Sequence, residues 1–161
     1  MPERILLFIP AYNCEKQLPR VLDQLLDERV AEFVTECIVV NNRSTDGTED
    51  AARRWMAAHP AAPVRLLRNN ENYGLGGSHK VAFGYALEHG FDYLVVLHGD
   101  DQGDVRDLLG LLDSGAYRTC DCCLGSRFMK GSRITGYSPL RIFGNYGFNW
   151  LFSLVARHKI T

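Results

Sequence analysis

The sequence HGDDQ, which begins at His98, follows a short apolar run and groups imidazole, carboxylate and amide side chains. On an extended segment alternate residues share a face, so His98, Asp100 and Gln102 can converge on one point. Carboxylate and carbonyl oxygens suit Mg²⁺ or Mn²⁺, and an imidazole favours Mn²⁺. The spacing therefore predicts a divalent-cation site. The alternative is a solvated turn in which an aspartate caps the next helix.

A second polar cluster, NNRSTDGT, follows the apolar run ECIVV. Short side chains such as Asn42, Ser44 and Asp46 can hydrogen-bond the edge of a base or a ribose hydroxyl. The helix that follows offers free N–H groups and the positive end of its dipole. The same residues are typical helix caps, so the sequence leaves both ligand contact and capping open.

A third cluster, NYGLGGSHK, brings three glycines, Gly76 among them, to the start of a predicted helix. Glycine-rich helix starts can cradle phosphates, although this pattern is neither G-x-G-x-x-G nor a P-loop. A tight connection between a strand and a helix explains the glycines equally well.

These clusters are positioned by a repeating pattern in which apolar strand-like runs alternate with helical segments. Four such units in a row predict a parallel α/β sheet with helices on both faces. Ligands of such sheets bind beyond the carboxyl ends of the strands, and every polar cluster falls just after a predicted strand. We therefore expect the clusters to meet at one edge. The predicted strands are 4–9, 36–40, 64–68 and 92–97.

The bulk composition suits one globular domain over residues 1–161, since 46% of the residues are hydrophobic. A net charge of −1 argues against nucleic acid as a partner. No apolar window reaches the roughly 18 residues that a membrane span requires. The 5 cysteines are an odd number, and the CDCC cluster lacks the paired spacing of a zinc site. We expect reduced thiols in a cytosolic protein.

The motifs FIPAYNCE, IVVNNRSTDGT, NYGLGGSHKVAFGYALEHG, VVLHGDDQGD and GSRF stand in the order and spacing of the family 2 glycosyltransferases. The chain most resembles the polyprenyl-phosphate, dolichyl-phosphate mannose synthase-like branch, and the resemblance covers essentially the whole chain. It implies a GT-A, Rossmann-like fold. It also implies an inverting transfer of sugar from a UDP- or GDP-linked donor to a polyprenyl phosphate, in cell-envelope glycan synthesis. The protein would then be cytoplasmic and peripheral at the inner face of the membrane.

The resemblance also assigns roles to residues. The family's Asp-x-Asp motif, commonly followed by x-Gln, corresponds to the segment from His98 to Gln102, with histidine in place of the first acid. A Mg²⁺ or Mn²⁺ ion held there by His98, Asp100 and Gln102 would offset charge on the departing diphosphate. The acids that usually close the second strand are Asn41 and Asn42 here. Donor-binding residues are expected at Pro10, Ala11, Tyr12, Asn13, Glu15, Asn42, Ser44, Asp46, Gly76 and Asp100.

Arg127, in GSRF, resembles the family's basic residue near the phosphates of donor or acceptor, and a guanidinium suits a phosphate geometrically. Arg133 and Arg141 are further candidates for the acceptor phosphate, and a surface arginine is the alternative at Arg127. The segment 138–157 is rich in aromatic residues and leucine and predicts a helix. This helix either faces the core or lies on a membrane surface.

The chain stops about where the family's next stretch, with its catalytic base, would begin. We therefore expect a donor-binding domain truncated at its C-terminus. No residue is assigned as the base, although Asp101 and Asp104 lie near the metal motif. An uncovered apolar helix would favour a homo-oligomer. Two other classes stay open: a non-catalytic nucleotide-binding domain or inactive fragment, and a nucleotidyltransferase, whose usual glycine-rich first loop is not found in PAYNCEKQ.

Overall fold

The computed structural model describes residues 3–125 and 138–158. The chain forms two compact units, Met1–Ala116 and Tyr117–Thr161.

The first unit is built on a four-stranded sheet in the order β3-β2-β1-β4, with every neighbouring pair parallel. The central strand β1 is buried along its whole length, which explains its continuous apolar sequence ILLFIPA. Ala11 pairs with Asn41, and Asn41 pairs with Arg68, so β1, β2 and β3 end level with one another. The strands are β1 (Ile5–Ala11), β2 (Val34–Asn41), β3 (Val64–Arg68) and β4 (Tyr93–Val96).

Helices cover both faces of this sheet, as the strand–helix alternation predicts. On one face Phe8 and Ile38 pack against Ala82 and Ala86 of the long fourth helix. On the other face the opposite side chains of the strands pack against the first three helices, where Trp55 is buried. Complete burial of a side chain such as Phe8 contributes roughly 1.5–3 kcal/mol. The helices of this unit are α1 (Leu18–Asp23), α2 (Glu28–Phe33), α3 (Thr48–Ala58), α4 (Gly74–Glu88) and α5 (Leu109–Ser114).

The helix after β1 is shorter than its apolar spacing suggests. It ends at Asp23 and passes through a 3₁₀ turn at Gln24–Leu26, and Leu26 is exposed. The carboxylate of Asp27 accepts hydrogen bonds from the N–H groups of Arg29 and Val30 and so starts α2. The apolar spacing from Leu18 to Leu26 predicts one helix, and α2, which Asp27 caps, is a second helix that follows this pattern.

The long helix α4 begins at Gly74, so two of the three glycines of the third cluster lie inside its first turn. The glycine that follows the helical pattern SHKVAFGYALEHG predicts a helix end at Gly90. The structure confirms it, because Gly90 has φ 66° and the N–H of Phe91 donates to the carbonyl of Ala86. Only glycine adopts this left-handed conformation without steric cost.

The second unit contains α6 (Pro139–Ala156). Its large apolar side chains are exposed: Phe143 by 77%, Trp150 by 68% and Leu154 by 64%. The expectation of a core-facing helix is therefore wrong for the described residues, because no described side chain of α6 is buried. Among the described residues, no helix is both long enough and apolar enough to cross a membrane.

Candidate active site

A cavity of about 370 Å³ opens at the carboxyl edge of the sheet. Segments that follow all four strands contribute to its wall, which confirms that the polar clusters meet at one edge. The wall is formed by Pro10, Ala11, Tyr12, Cys14, Asn42, Asn72, Gly74, Leu75, Ser78, His98, Gly99 and Asp100.

The loops after β1 and β2 are joined by reciprocal hydrogen bonds. The Asn13 N–H donates to Ser44 Oγ at 3.1 Å, and the Glu15 N–H donates to Asp46 Oδ2 at 3.2 Å. In return the Gly47 N–H donates to Glu15 Oε2 at 3.2 Å. None of these five residues lines the cavity. Four of the predicted donor-binding residues, Asn13, Glu15, Ser44 and Asp46, thus hold the two loops together without lining the cavity.

Asp46 also organises the start of α3. Its Oδ1 accepts a hydrogen bond from the Thr48 N–H at 3.0 Å and another from the Thr48 hydroxyl. The Thr48 hydroxyl in turn accepts from the Cys14 N–H at 2.8 Å. Partial desolvation raises the pKa of Asp46, but hydrogen bonds from Thr48 and the Glu15 N–H outweigh it and lower that pKa overall. Asp46 thus bonds the first residue of α3 from outside the helix, whose N-cap position is Gly47.

Three asparagines fasten the ends of β2 and β3 to the start of α4. Asn42 Oδ1 accepts from Asn69 Nδ2 at 2.9 Å and from the Tyr73 N–H at 2.9 Å. Asn42 Nδ2 donates to Asn72 Oδ1 at 2.7 Å. Asn69 Nδ2 also donates to Ser78 Oγ at 3.1 Å. Asn42 therefore lines the cavity while its oxygen accepts two hydrogen bonds and its nitrogen donates one within the described residues.

Asn41, which precedes this network, has a different task. Its Nδ2 donates to Glu49 Oε2 at 3.0 Å, and its Oδ1 accepts from the Ser44 N–H at 2.9 Å. Glu49 also pairs with Arg53 at 2.8 Å and with Arg68 at 3.4 Å. The hydrogen bond from Arg53 is the main reason why the pKa of Glu49 is lowered. Asn41 thus ties β2 to α3.

After β4 ends, the backbone continues alongside β1 and brings the segment HGDDQ to the cavity. The Gly99 N–H donates to the Pro10 carbonyl at 3.2 Å. A Cβ at position 99 would lie 3.0 Å from that oxygen and 3.2 Å from Cys14 Sγ, so the close approach requires glycine. His98 and Asp100, on either side of Gly99, both line the cavity.

The other polar residues of this segment lie off the cavity wall. The Gln102 N–H donates to Asp100 Oδ1 at 3.2 Å and closes a turn. Asp101 has φ 63° and accepts from Arg20 Nε at 2.7 Å. Asp104 caps the 3₁₀ turn Val105–Leu108, and its hydrogen bond from Arg106 is the main reason why its pKa is lowered. Two of the three predicted metal ligands therefore share the cavity, and both candidate bases are ion-paired outside it.

The donor set fits a divalent cation that is shared with a ligand. Within residues 3–125 and 138–158, no three His, Cys, Asp or Glu side chains form a metal-binding group. His98 and Asp100 offer one nitrogen and one carboxylate toward the same cavity. Mg²⁺ is commonly held by one or two carboxylates together with substrate phosphates, so the remaining positions suit diphosphate oxygens and water.

Several residues predicted to bind donor or acceptor make no described contact at the cavity. Arg127 and Arg133 lie outside the described residues, and so does the side chain of Arg141. Gly76 lies in the first turn of α4, where an added Cβ would meet no atom within 4 Å. Residue types alone did not single out Asn69, Asn72, Ser78 or Cys14. The available signal was the run of asparagines directly after β3.

The model of the family "Glycosyl transferase family 2" matches residues 7–158. The undecaprenyl-phosphate mannosyltransferase of Micrococcus luteus is 34% identical over 154 residues, which are 96% of this chain and 59% of that protein. The polyprenol monophosphomannose synthase of Mycolicibacterium smegmatis is 28% identical over 87% of this chain and 51% of its own length. The chain thus spans between half and three fifths of these two relatives.

Solved structures share the fold. A mannosyltransferase from Pyrobaculum calidifontis, determined in complex with GDP-Man and Mn²⁺, superposes with a TM-score of 0.52 at 28% identity. The match covers 62% of this chain and 28% of that one. TarS 1–349 of S. aureus superposes with a TM-score of 0.54 at 24% identity, over 72% of this chain and 32% of its own. Together with the parallel sheet, these structures confirm the GT-A-like fold class.

Proposed function

The chain belongs to glycosyl transferase family 2, and on that premise we propose that its cavity binds the nucleoside diphosphate of a nucleotide-sugar donor. The observation that carries this proposal is the convergence of all four strand-end segments on one cavity, with His98 and Asp100 in its wall. The whole protein would be an inverting glycosyltransferase that uses a polyprenyl phosphate as acceptor. The two relatives named for polyprenyl-phosphate mannosyl transfer support that acceptor class.

We assign the cation contact to His98 and Asp100. A Mg²⁺ or Mn²⁺ ion held by them would neutralise charge on the departing diphosphate. The mannosyltransferase solved with GDP-Man and Mn²⁺ supports this choice of ion and ligand class. Because Gln102 lies off the cavity wall, we assign it to the turn that orients Asp100 through its N–H.

The nucleoside is assigned to the wall formed by the end of β1. Pro10 and Ala11 line the cavity, and Tyr12 beside them is half exposed, so a base can lie against its ring. The remaining N–H of Asn42 can donate to a base or a ribose hydroxyl. Asn13, Glu15, Ser44 and Asp46 would act by holding these loops in position. The donor is UDP- or GDP-linked in this proposal.

In the reaction, an acceptor oxygen forms a bond to the anomeric carbon while the bond from that carbon to the diphosphate oxygen breaks. The diphosphate leaves with the bonding electron pair, and attack from the opposite face inverts the carbon. A phosphate acceptor is already anionic and needs little help from a base. Asp101 and Asp104, which are paired with arginines, are therefore not required for proton removal. Arg127, Arg133 and Arg141 remain our candidates for contacts with phosphate.

The exposed apolar side chains of α6 fit a helix that lies on a membrane surface near a lipid-linked acceptor, at the cytoplasmic face. Trp150 is exposed and the second tryptophan, Trp55, is buried, so Trp150 reports on this placement. We expect its fluorescence to shift to shorter wavelength with vesicles that contain anionic lipid. A Trp150→Phe variant, which retains only Trp55, provides the control and should show no shift. An unchanged spectrum in the wild type would contradict the membrane placement.

The donor proposal is tested by thermal unfolding with UDP, GDP and ADP, each with Mn²⁺ or with EDTA. A ligand that binds only the folded state, present at about 100 times its Kd, adds roughly 2.7 kcal/mol of stability. We expect a metal-dependent rise in Tm with UDP or GDP and a smaller one with ADP. Equal Tm values with and without Mn²⁺ for all three nucleotides would overturn the proposal.

A further inference from the structure

The second unit carries three exposed cysteines within one short segment, Cys120, Cys122 and Cys123. The Sγ atoms of Cys120 and Cys123 are 3.0 Å apart. A disulfide needs these atoms at about 2.05 Å, so only a shift of roughly 1 Å separates the two thiols from bonding. The other two cysteines of the chain are buried in the first unit.

We propose that Cys120 and Cys123 form a redox-active dithiol, which closes into an intrachain disulfide by exchange with a small-molecule disulfide such as oxidised glutathione. This assignment goes beyond the proposed glycosyl transfer and does not depend on it. The two residues have the C-x-x-C spacing found in redox-active dithiols, and both are exposed to a reagent in solvent.

The exchange balances in two steps. A thiolate of the pair attacks one sulfur of oxidised glutathione, whose S–S bond breaks and releases one glutathione thiolate. The second thiolate of the pair then attacks the protein sulfur of this mixed disulfide and displaces the other glutathione thiolate. The two protein thiols lose two protons and two electrons; oxidised glutathione takes up both electrons, and the protons pass to solvent or to the released thiolates.

Geometry selects this pair over the other thiols. Adjacent residues joined by a trans peptide have Cα atoms about 3.80 Å apart, below the roughly 4.4 Å minimum for a disulfide, which disfavours Cys122–Cys123. Burial raises the pKa of Cys14 and of Cys37, so both remain protonated and shielded. The hydrogen bond with Cys120 raises the pKa of Cys123, so exchange should accelerate as the pH increases.

The test uses the full chain incubated with oxidised glutathione at about pH 7 and about pH 9, on either side of a typical thiol pKa near 8.5. After an acid quench, alkylation and trypsin digestion, all three exposed cysteines fall in one peptide, residues 119–127. We expect that peptide to lose two alkylation sites and to keep one, at Cys122. Formation should be faster at the higher pH and reversed by dithiothreitol.

Variants locate the bond. Cys122→Ser should still lose both remaining sites, whereas Cys120→Ser and Cys123→Ser should accumulate only mixed disulfides with glutathione. The three positions are exposed, so circular dichroism is expected to show folded protein in each case. Three alkylated cysteines in treated wild type, or a disulfide that includes Cys122, would overturn the proposal. The proposal would also be overturned if chains unfolded in urea formed the Cys120–Cys123 bond as fast as folded chains do.

Discussion

Asn69 Nδ2 donates a hydrogen bond to Asn42 Oδ1 at 2.9 Å, and both side chains are buried. This contact joins the end of β2 to the end of β3 beneath the cavity. Since Asn69 also donates to Ser78, one side chain connects two strands and the long helix α4. Asn69 therefore fixes the position of Asn42 in the cavity wall.

Replacing Asn69 by alanine should lower the free energy of unfolding by about 1–3 kcal/mol, because it deprives buried oxygens of their donor. Urea unfolding measures the change. The neighbouring Asn70 is exposed, so Asn70→Ala is the matched control and should stay within about 0.5 kcal/mol of the wild type. Equal effects of the two substitutions would contradict a structural role for the Asn42–Asn69 contact.

Gly99→Ala should destabilise the fold by about 1–3 kcal/mol, because its Cβ would be pressed against the Pro10 carbonyl. Gly84→Ala, in the interior of α4, should instead stabilise it by up to about 1 kcal/mol, since its Cβ meets nothing within 4 Å. Chemical denaturation of both variants gives the comparison. A Gly99→Ala protein as stable as the wild type would show that β4 and β1 are not constrained at this point.

The pKa of Asp46 is lower in the folded protein than its usual 3.8, because hydrogen bonds outweigh desolvation. Such a carboxyl contributes stability above its unfolded pKa and loses that contribution as the pH falls through its folded pKa. We expect the Tm of the wild type to fall more steeply below about pH 4 than that of Asp46→Asn. Asp50→Asn, the control, removes a carboxylate from the first turn of α3 and leaves the Asp46 hydrogen bonds in place. If the Tm of Asp46→Asn fell with pH as steeply as that of the wild type, the lowered pKa of Asp46 would not explain the acid sensitivity.

Asp100→Asn should abolish most of the Mn²⁺-dependent rise in Tm with nucleotide, since among the described residues it removes the one carboxylate that lines the cavity. The protein itself should remain folded, because Asp100 is exposed and an asparagine oxygen can still accept from the Gln102 N–H. Asp107→Asn, which changes an exposed acid nearby, is the control. A metal-dependent shift that survives Asp100→Asn would place the cation elsewhere.

His98→Asp should change which cation supports nucleotide binding. A second carboxylate in place of the imidazole favours a hard cation, so the response should move from Mn²⁺ toward Mg²⁺. Titrations of each metal at a fixed nucleotide concentration, followed by Tm, give the ratio of their half-saturation points for both proteins. An unchanged ratio would remove His98 from the proposed ligands.

The sheet, and the edge at which its polar loops meet, were predictable from the sequence because both depend on periodicity. Strands such as Ile5–Ala11 are continuous apolar runs, and parallel topology brings their carboxyl ends together. The contacts within that edge were not predictable. They depend on loop backbone, with Asn13, Arg43 and Asp101 all at positive φ, and this conformation decides which side chains face the cavity.

Loop conformation also explains why Ser44 and Asp46, which we expected at the donor, make hydrogen bonds to the loop after β1. Residue types alone do not distinguish a Ser44 or an Asp46 that binds a ligand from one that binds a neighbouring loop. The left-handed turn at Arg43 comes just before the segment whose side chains meet Asn13 and Glu15. Partners that are more than 30 residues away in the chain leave no periodic trace in the sequence.

The reciprocal hydrogen bonds between the first two loops also constrain how the protein can diverge. Each bond joins a backbone N–H of one loop to a side-chain oxygen of the other, so replacing Ser44, Asp46 or Glu15 leaves an N–H of the opposite loop without its acceptor. A lineage that loses one of these acceptors would have to reshape the loop whose N–H groups it holds. An engineer who wishes to exchange the proposed nucleotide preference would accordingly need to transplant both loops as a single cassette.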